Sequence, residues 1–292
     1  KIVHFAQETV TLTGLRLLDF VSLFSDKGCP CCPSSLEEPC ISGTRGSGAI
    51  FFSGCTLRCC FCQNYRISSA SYGKEISEQK LARIFLELQD QGAHNINLVT
   101  ATQYLPSILN ALDLVKNQLK IPVVYNSSGY EKPETIRLLK GYVDIYLPDL
   151  KYFSSELSRK YSKAEDYFEI ASCAIKLMIE QTGAPVFDSD GMLQKGVIVR
   201  HLVLPNCRKD SISLLHWLKE TLPGKQYLIS LLSQYTPFYN SHKYPELNRR
   251  ITTYEYESIL KESNFLGLVE GFMQEKSSAK EEYTPPFELQ GI

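Results

Sequence analysis

Six short β-rich runs, at 49–53, 95–99, 122–127, 143–149, 197–204 and 227–234, alternate with longer stretches of helical periodicity. This alternation constrains the chain more than any other feature. A strand followed by an amphipathic helix, repeated, builds a parallel sheet covered by helices. The stretch "SEQKLARIFLELQDQG" shows the pattern: Ser77 is a plausible N-cap, Leu81, Phe85 and Leu88 recur at helical spacing, and Gly92 stops the run. Further helices are expected in "YLPSILNALDLVKNQ", "KPETIRLLKG", "YFEIASCAIKLMIEQTG" and "DSISLLHWLKETL". A last helix is expected from Thr252, where Glu255 three residues on completes a capping box. At 292 residues and 43% hydrophobic content the chain can bury a sizeable core, and α/β barrels of this length are ordinary single units.

In such folds the strand C-termini gather at one mouth, where chemistry concentrates. Here those ends read "SGC", "TATQ", "NSSGY", "PDLK" and "SQY", rich in hydroxyls, amides and charge. Buried parallel strands should be continuously apolar, and "VIVRHLVL" is so except at Arg200 and His201. Neighbours on a strand face opposite ways, so one of the two enters the lumen. The expectation is His201 inside, against the alternative of a satisfied core histidine.

The net charge of −1 carries no basic excess of the kind a phosphate backbone demands, so a nucleic-acid partner is not expected. The most apolar early segment, "LTGLRLLDFVSLF", is broken by Arg16 and Asp19, so neither a membrane span nor a signal peptide is expected. The reading is cytoplasmic, with an organellar compartment left open. Ten cysteines in this length are too sparse for a disulfide scaffold. Their clustering, Cys29, Cys31, Cys32 and Cys40, then Cys55, Cys59, Cys60 and Cys62, suits a metal or cluster in a reducing compartment, although the first group lacks a second paired element and is read as unliganded thiols, with zinc or an auxiliary cluster as the alternative.

Cys55, Cys59 and Cys62 have the spacing C-x3-C-x2-C, directly after a strand and a Ser-Gly turn. Three thiolates from one loop hold three irons of a [4Fe-4S] cluster and leave the fourth open to a chelating ligand such as the amino-acid head of S-adenosylmethionine. The competing reading is a zinc knuckle using all four sulfurs of this loop, which such close spacing makes hard to arrange tetrahedrally. Cys60 is the expected non-ligand. "GTRGSG", residues 43–48, lacks the G-K-[ST] ending and precedes a strand, which excludes a P-loop. Its glycines fit a close approach of backbone to the cluster or the barrel floor.

The motif, with the aromatic Phe61 before the third cysteine, resembles that of the radical S-adenosylmethionine superfamily. "GTRGSGAIFFSGCTLRCCFCQNYRIS", "NLVTATQYLP", "VVYNSSGYE", "VDIYLPDLKY", "VRHLVLPN", "SQYTPFY", "YPELNRRIT" and "SSAKEEYTPPF" are similar to its pyruvate formate-lyase activating enzyme-like branch, over roughly residues 37–287. The resemblance implies a partial (β/α)6 TIM-like barrel with the cluster at its mouth. It implies reductive cleavage of S-adenosylmethionine to a 5′-deoxyadenosyl radical that abstracts hydrogen, here from a glycine of a partner glycyl radical enzyme. It also implies a flavodoxin- or ferredoxin-like electron donor. A radical enzyme acting on a small molecule or peptide, and a non-catalytic iron-sulfur or zinc protein, stand as alternatives.

Where related activating enzymes carry a Gly-Gly-Glu-like segment for the amino group, this chain has Thr100 and Thr102 and no carboxylate. Asn126 and Ser127 match a polar pair near the ribose, and Asp149 a later carboxylate. Asp149 and Lys151 form either a local ion pair or a pair facing the ligand. Gln234 and Tyr235 are placed on the far wall, with packing as the alternative for the tyrosine. The cofactor set is therefore Phe61, Thr100, Thr102, Asn126, Ser127, Asp149, Lys151, His201 and Gln234. His4-Phe5 and Glu37-Glu38-Pro39, nearly adjacent in the branch, are separated here, which reads as an insertion. The expected organisation is an N-terminal extension at 1–48, a barrel at 49–270 and a surface tail at 271–292.

Overall fold

The computed structural model describes residues 38–69, 73 and 75–274. Eight strands are present among them: β1 Gly48–Phe51, β2 Ile96–Val99, β3 Val123–Ser127, β4 Ile145–Pro148, β5 Val186–Phe187, β6 Leu193–Leu202, β7 Leu228–Leu232 and β8 Gly271–Met273. Nine α-helices accompany them among the described residues: α1 Pro39–Ser42, α2 Tyr65–Ser68, α3 Glu78–Asp90, α4 Leu105–Val115, α5 Pro133–Leu138, α6 Ser155–Ser162, α7 Tyr167–Thr182, α8 Arg208–Thr221 and α9 Thr253–Phe265. The strand order is β1-β2-β3-β4-β6-β7-β8, every neighbouring pair parallel, with β5 antiparallel on β6. β8 does not reach β1, so the sheet curls without closing. It is the open half-barrel that the βα alternation led to.

The local reasons are those read from sequence. Ser77 Oγ accepts from Lys80 N at 3.1 Å and starts α3, whose Leu81, Ala82, Ile84, Phe85 and Leu88 are buried. Thr252 and Glu255 form the reciprocal capping box of α9. Two differences concern strands. β6 begins earlier than expected because Gly191 lets the chain fold back and pair β5 with its first residues. Gly271–Met273, expected as the start of a surface tail, is β8, paired in parallel with β7. Three residues are too short for a period-2 pattern to register.

Alternation on each strand separates two cores. The outer face, including Leu98, Tyr125, Tyr146, Val197, Val199, Ile229 and Leu231, packs under the helices. The inner face places Val124, Ile145, Leu147, Ile198 and Leu228 around Ile41 and Cys40 of α1. That short helix plugs the floor. Ile41 is fully buried, and burying such a side chain contributes roughly 1.5–3 kcal/mol. No helix among the described residues is long and apolar enough to cross a membrane.

Candidate active site

One pleat above the floor, the same inner rows turn polar. Val124 gives way to Asn126, Leu147 to Asp149, Ile198 to Arg200 and Leu228 to Ser230, each two residues further along its strand. Arg200 Nη2 donates to Asn126 Oδ1 at 2.6 Å, and Arg200 Nε and Nη2 lie 3.1 and 3.0 Å from Asp149 Oδ1. Lys151 Nζ closes the row on Asp149 Oδ2 at 2.5 Å. Burial alone would raise the Asp149 carboxyl, but Lys151 and Arg200 outweigh it and hold the group below the usual carboxylate range. Asp149 in turn keeps Lys151 charged against its own burial.

His201, expected in the lumen, points the other way. Its Nδ1 lies 2.7 Å from the Leu150 carbonyl and its Nε2 2.8 Å from Ser211 Oγ on α8. A carbonyl only accepts, so Nδ1 carries the proton and Nε2 accepts from the serine. Burial lowers the imidazole to about 4, so it is neutral at pH 7. Arg200 takes the inner position because its parity matches Ile198. Sequence alternation fixed that one of the pair is inside; the helix-borne Ser211 decided which.

The strand ends are drawn together by close backbone contacts. A Cβ on Gly129, at φ +78°, would sit 2.1 Å from the Asp149 carbonyl oxygen, so only glycine allows the loop after β3 to cross there. The Tyr167 hydroxyl lies 2.8 Å from the carbonyls of both Ser128 and Asp149 and accepts from Lys151 N at 3.0 Å. Ser127 Oγ accepts from Gly129 N at 3.2 Å, so this hydroxyl supports the loop. Thr100, at the end of β2, adopts φ +59°, a left-handed backbone that is costly for a β-branched residue, roughly 1–3 kcal/mol. Such strain persists where the surroundings hold it, here a hydrogen bond from Thr100 N to Asn126 O at 2.9 Å.

Thr102 is committed elsewhere: its Oγ1 donates to Glu131 Oε1 at 2.7 Å and lies 3.1 Å from the Tyr125 hydroxyl. Glu131 itself escaped the sequence reading although it ends the "NSSGYE" stretch. Burial pushes its carboxyl up to about 7, and its Oε2 is buried without a partner. The only signal available was a charged residue closing a strand-end loop. Gln103, also missed, lies over the cysteine loop, its amide nitrogen 3.1 Å from the place a Cβ on Gly54 would take. Gln234 accepts from Gln274 Nε2 at 3.0 Å, beside the end of β8, and Phe61 packs edge-on to Tyr235 with ring centroids 5.8 Å apart in the main core.

Above the polar row lies the cysteine loop. Cys59 Sγ is 3.0 Å from Ser162 Oγ and Cys62 Sγ 3.3 Å from Ser68 Oγ, while Arg58 Nη1 donates to the Cys55 carbonyl. Burial, reinforced by Cys59, pushes the Cys55 thiol up to about 12; burial pushes Cys59 to about 11 although Lys151 pulls it down. Three thiols so desolvated become thiolates only with a cationic group among them, which is what iron supplies. Cys60 is buried in the outer core, its backbone N donating to Tyr161 O at 2.8 Å. Among the described residues no three His, Cys, Asp or Glu side chains converge on one metal ion. Cys40 is a buried free thiol of the floor; Cys29, Cys31 and Cys32 lie outside the described residues.

An open parallel half-barrel with a three-cysteine loop over a polar strand mouth is the architecture of radical S-adenosylmethionine enzymes. The chain carries a domain of that superfamily: residues 49–188 match the family described as "Radical SAM superfamily". The superfamily implies a [4Fe-4S] cluster and S-adenosylmethionine, and the residues at the mouth fit both. An uncharacterized protein of Methanocaldococcus jannaschii is 34% identical over 226 residues, covering 73% of this chain and 61% of its own length. Streptococcus suis SuiB bound to S-adenosylmethionine is similar in fold, with TM-score 0.54 and 14% identity over 77% of this chain and 49% of that one. Methylornithine synthase (PylB) is similar at TM-score 0.53 and 13% identity, over 83% and 74% of the two chains. The chain thus spans less than two thirds of the first two relatives.

Proposed function

We propose that this protein is a redox enzyme that cleaves S-adenosylmethionine reductively and uses the product radical to abstract hydrogen. The observation that carries this reading is the nearness of the cysteine loop to the polar row: Lys151, paired with Asp149, lies close enough for its charge to act on the thiols of Cys55, Cys59 and Cys62. A bound [4Fe-4S] cluster supplies the electron that breaks the sulfonium to methionine and a 5′-deoxyadenosyl radical. The protein holds its ligands and shapes the room beneath. Asn126, Asp149 and Arg200 present acceptors and donors at fixed spacing, suited to a ligand with an amino-acid head and a ribose diol. The strained Thr100 and the glycine crossing at Gly129 set the walls of that room without side-chain bulk.

The finer reading, hydrogen abstraction from a glycine Cα–H of a partner glycyl radical enzyme, rests on the resemblance of the motifs from "GTRGSG" to "YPELNRRIT". The test is anaerobic reconstitution followed by a 5′-deoxyadenosine assay with and without such a partner. Product formed with S-adenosylmethionine supports the chemistry; a glycyl radical signal formed only with the partner supports the finer reading. Cys59→Ala is expected to abolish cluster assembly and Cys60→Ala to leave it largely intact, read by iron content and visible absorbance. Equal loss in both sinks the ligand assignment.

A further inference from the structure

The starts of three helices surround one cavity beyond the C-terminal end of β6. Cys207 and the first turn of α8 form one wall, Arg249 and the start of α9 another, with Leu157 of α6 and Tyr254 of α9 as apolar sides. Its volume is about 440 Å³, within the range of roughly 300–1,000 Å³ that small-molecule sites occupy. None of the polar-row residues lines it.

The acids around this cavity are already engaged. Glu255 Oε1 accepts from Asn206 N and Arg249 Nη2, both at 2.7 Å, and its Oε2 accepts from Thr252 N and Arg249 Nη1, both at 2.8 Å, so it neutralises Arg249 and fixes that wall. Asp210 Oδ1 accepts from Ser154 N at 2.7 Å and Oδ2 from Phe153 N at 3.0 Å, so its oxygens serve the loop before α6. What is left over is positive. Arg208 and Lys209 make no ion pair among the described residues, and the Arg208 guanidinium lies 5.5 Å from the centre of the Tyr254 ring. The N-cap of α8, Cys207, supplies no side-chain cap. The amides of Arg208, Lys209 and Asp210 therefore carry the positive end of a 14-residue helix without a helical partner. The Cys207 side chain, 7% exposed and lining the cavity, has no hydrogen-bond partner among the described residues. Burial, reinforced by Asp210, pushes this thiol up to about 12, so it keeps its proton and offers one more donor.

We propose that this cavity binds the phosphoryl group of a small organic phosphomonoester, at a site separate from the polar row. A tetrahedral dianion offers oxygens to several donors at once, which matches the amides of the α8 start together with two cations on consecutive residues. A carboxylate has only two oxygens and leaves part of this set unmet. A bare ion fills little of the space, whereas Leu157 and the Tyr254 ring give an organic group apolar walls. The site goes beyond the radical reading and does not depend on it, since no cysteine of the 55–62 loop lines the cavity.

The test is calorimetric titration of the full reconstituted chain with phenyl phosphate, inorganic phosphate and phenylacetate, at constant ionic strength and about pH 8, where the phosphoryl group is doubly charged. Expected is saturable binding of phenyl phosphate, weaker by about threefold or more for inorganic phosphate and by about tenfold or more for phenylacetate. Arg208→Gln/Lys209→Gln, which breaks no ion pair, should weaken both phosphates about tenfold or more while the unliganded protein melts as before. Lys209→Gln alone, at an exposed position, carries the same test if the double variant does not fold. Tyr254→Ala should weaken phenyl phosphate and leave inorganic phosphate within about twofold. No saturable heat with either phosphate, or affinities unmoved by substitutions that leave melting unchanged, overturns the proposal. Phenylacetate binding as tightly as phenyl phosphate sinks the phosphoryl assignment. Equal affinity for the two phosphates, with Tyr254→Ala without effect, reduces the cavity to a site for a bare ion and sinks the phosphomonoester.

Discussion

The floor and the mouth of the half-barrel are lined by the same strands two residues apart, yet they are chemically opposite. Val124, Leu147, Ile198 and Leu228 bury hydrocarbon around Ile41, while Asn126, Asp149, Arg200 and Ser230 bury polar atoms and charge beneath the cysteine loop. The floor lowers the free energy of the fold. The mouth raises it, because charges taken from water regain only part of their solvation from one another. On the function proposed above, the row is held for the ligand it would bind.

The strongest way to break this contrast is to make the mouth resemble the floor. The triple change Asp149→Leu, Lys151→Met, Arg200→Met should leave stability unchanged or raise it by roughly 1–4 kcal/mol in urea unfolding. It should also abolish measurable S-adenosylmethionine binding. A marked loss of stability would show that the row is structural. The converse is Leu147→Ala at the floor, expected to cost about 2–5 kcal/mol while cluster content per folded molecule is retained.

A smaller, pH-limited effect sharpens the contrast between the two sides of β6. His201, on the helix side, is lowered to about 4, so the unfolded chain takes up a proton between about pH 6.5 and 4 that the folded chain refuses. Stability is therefore full above about pH 6.5 and falls as pH drops through that window, by at most about 3 kcal/mol. His201→Gln, able to keep one of the two hydrogen bonds, should flatten that slope. An unchanged slope would mean that His201 titrates normally and is not locked against Ser211.

Most of the fold was legible. The six runs seen in the sequence are β1, β2, β3, β4, β6 and β7, because buried parallel strands leave continuous apolar stretches and the helices between them leave a 3.6-residue rhythm. β8 was not legible, since its three residues gain strand character only from the β7 edge they meet. The cysteine loop was legible for a different reason: three cysteines at C-x3-C-x2-C lie close along the chain, so one loop carries all three.

The sequence by itself determined that this chain forms repeated βα units and that Cys55, Cys59 and Cys62 share one loop, since both follow from neighbours in the chain. Only the tertiary structure decided that Arg200 and not His201 enters the lumen, that the Thr102 hydroxyl serves Glu131, and that the Asp149–Lys151 pair is completed by Arg200. Those outcomes depend on partners from other βα units, and burial makes an unmet hydrogen bond or charge expensive enough to fix each side chain on the one partner within reach.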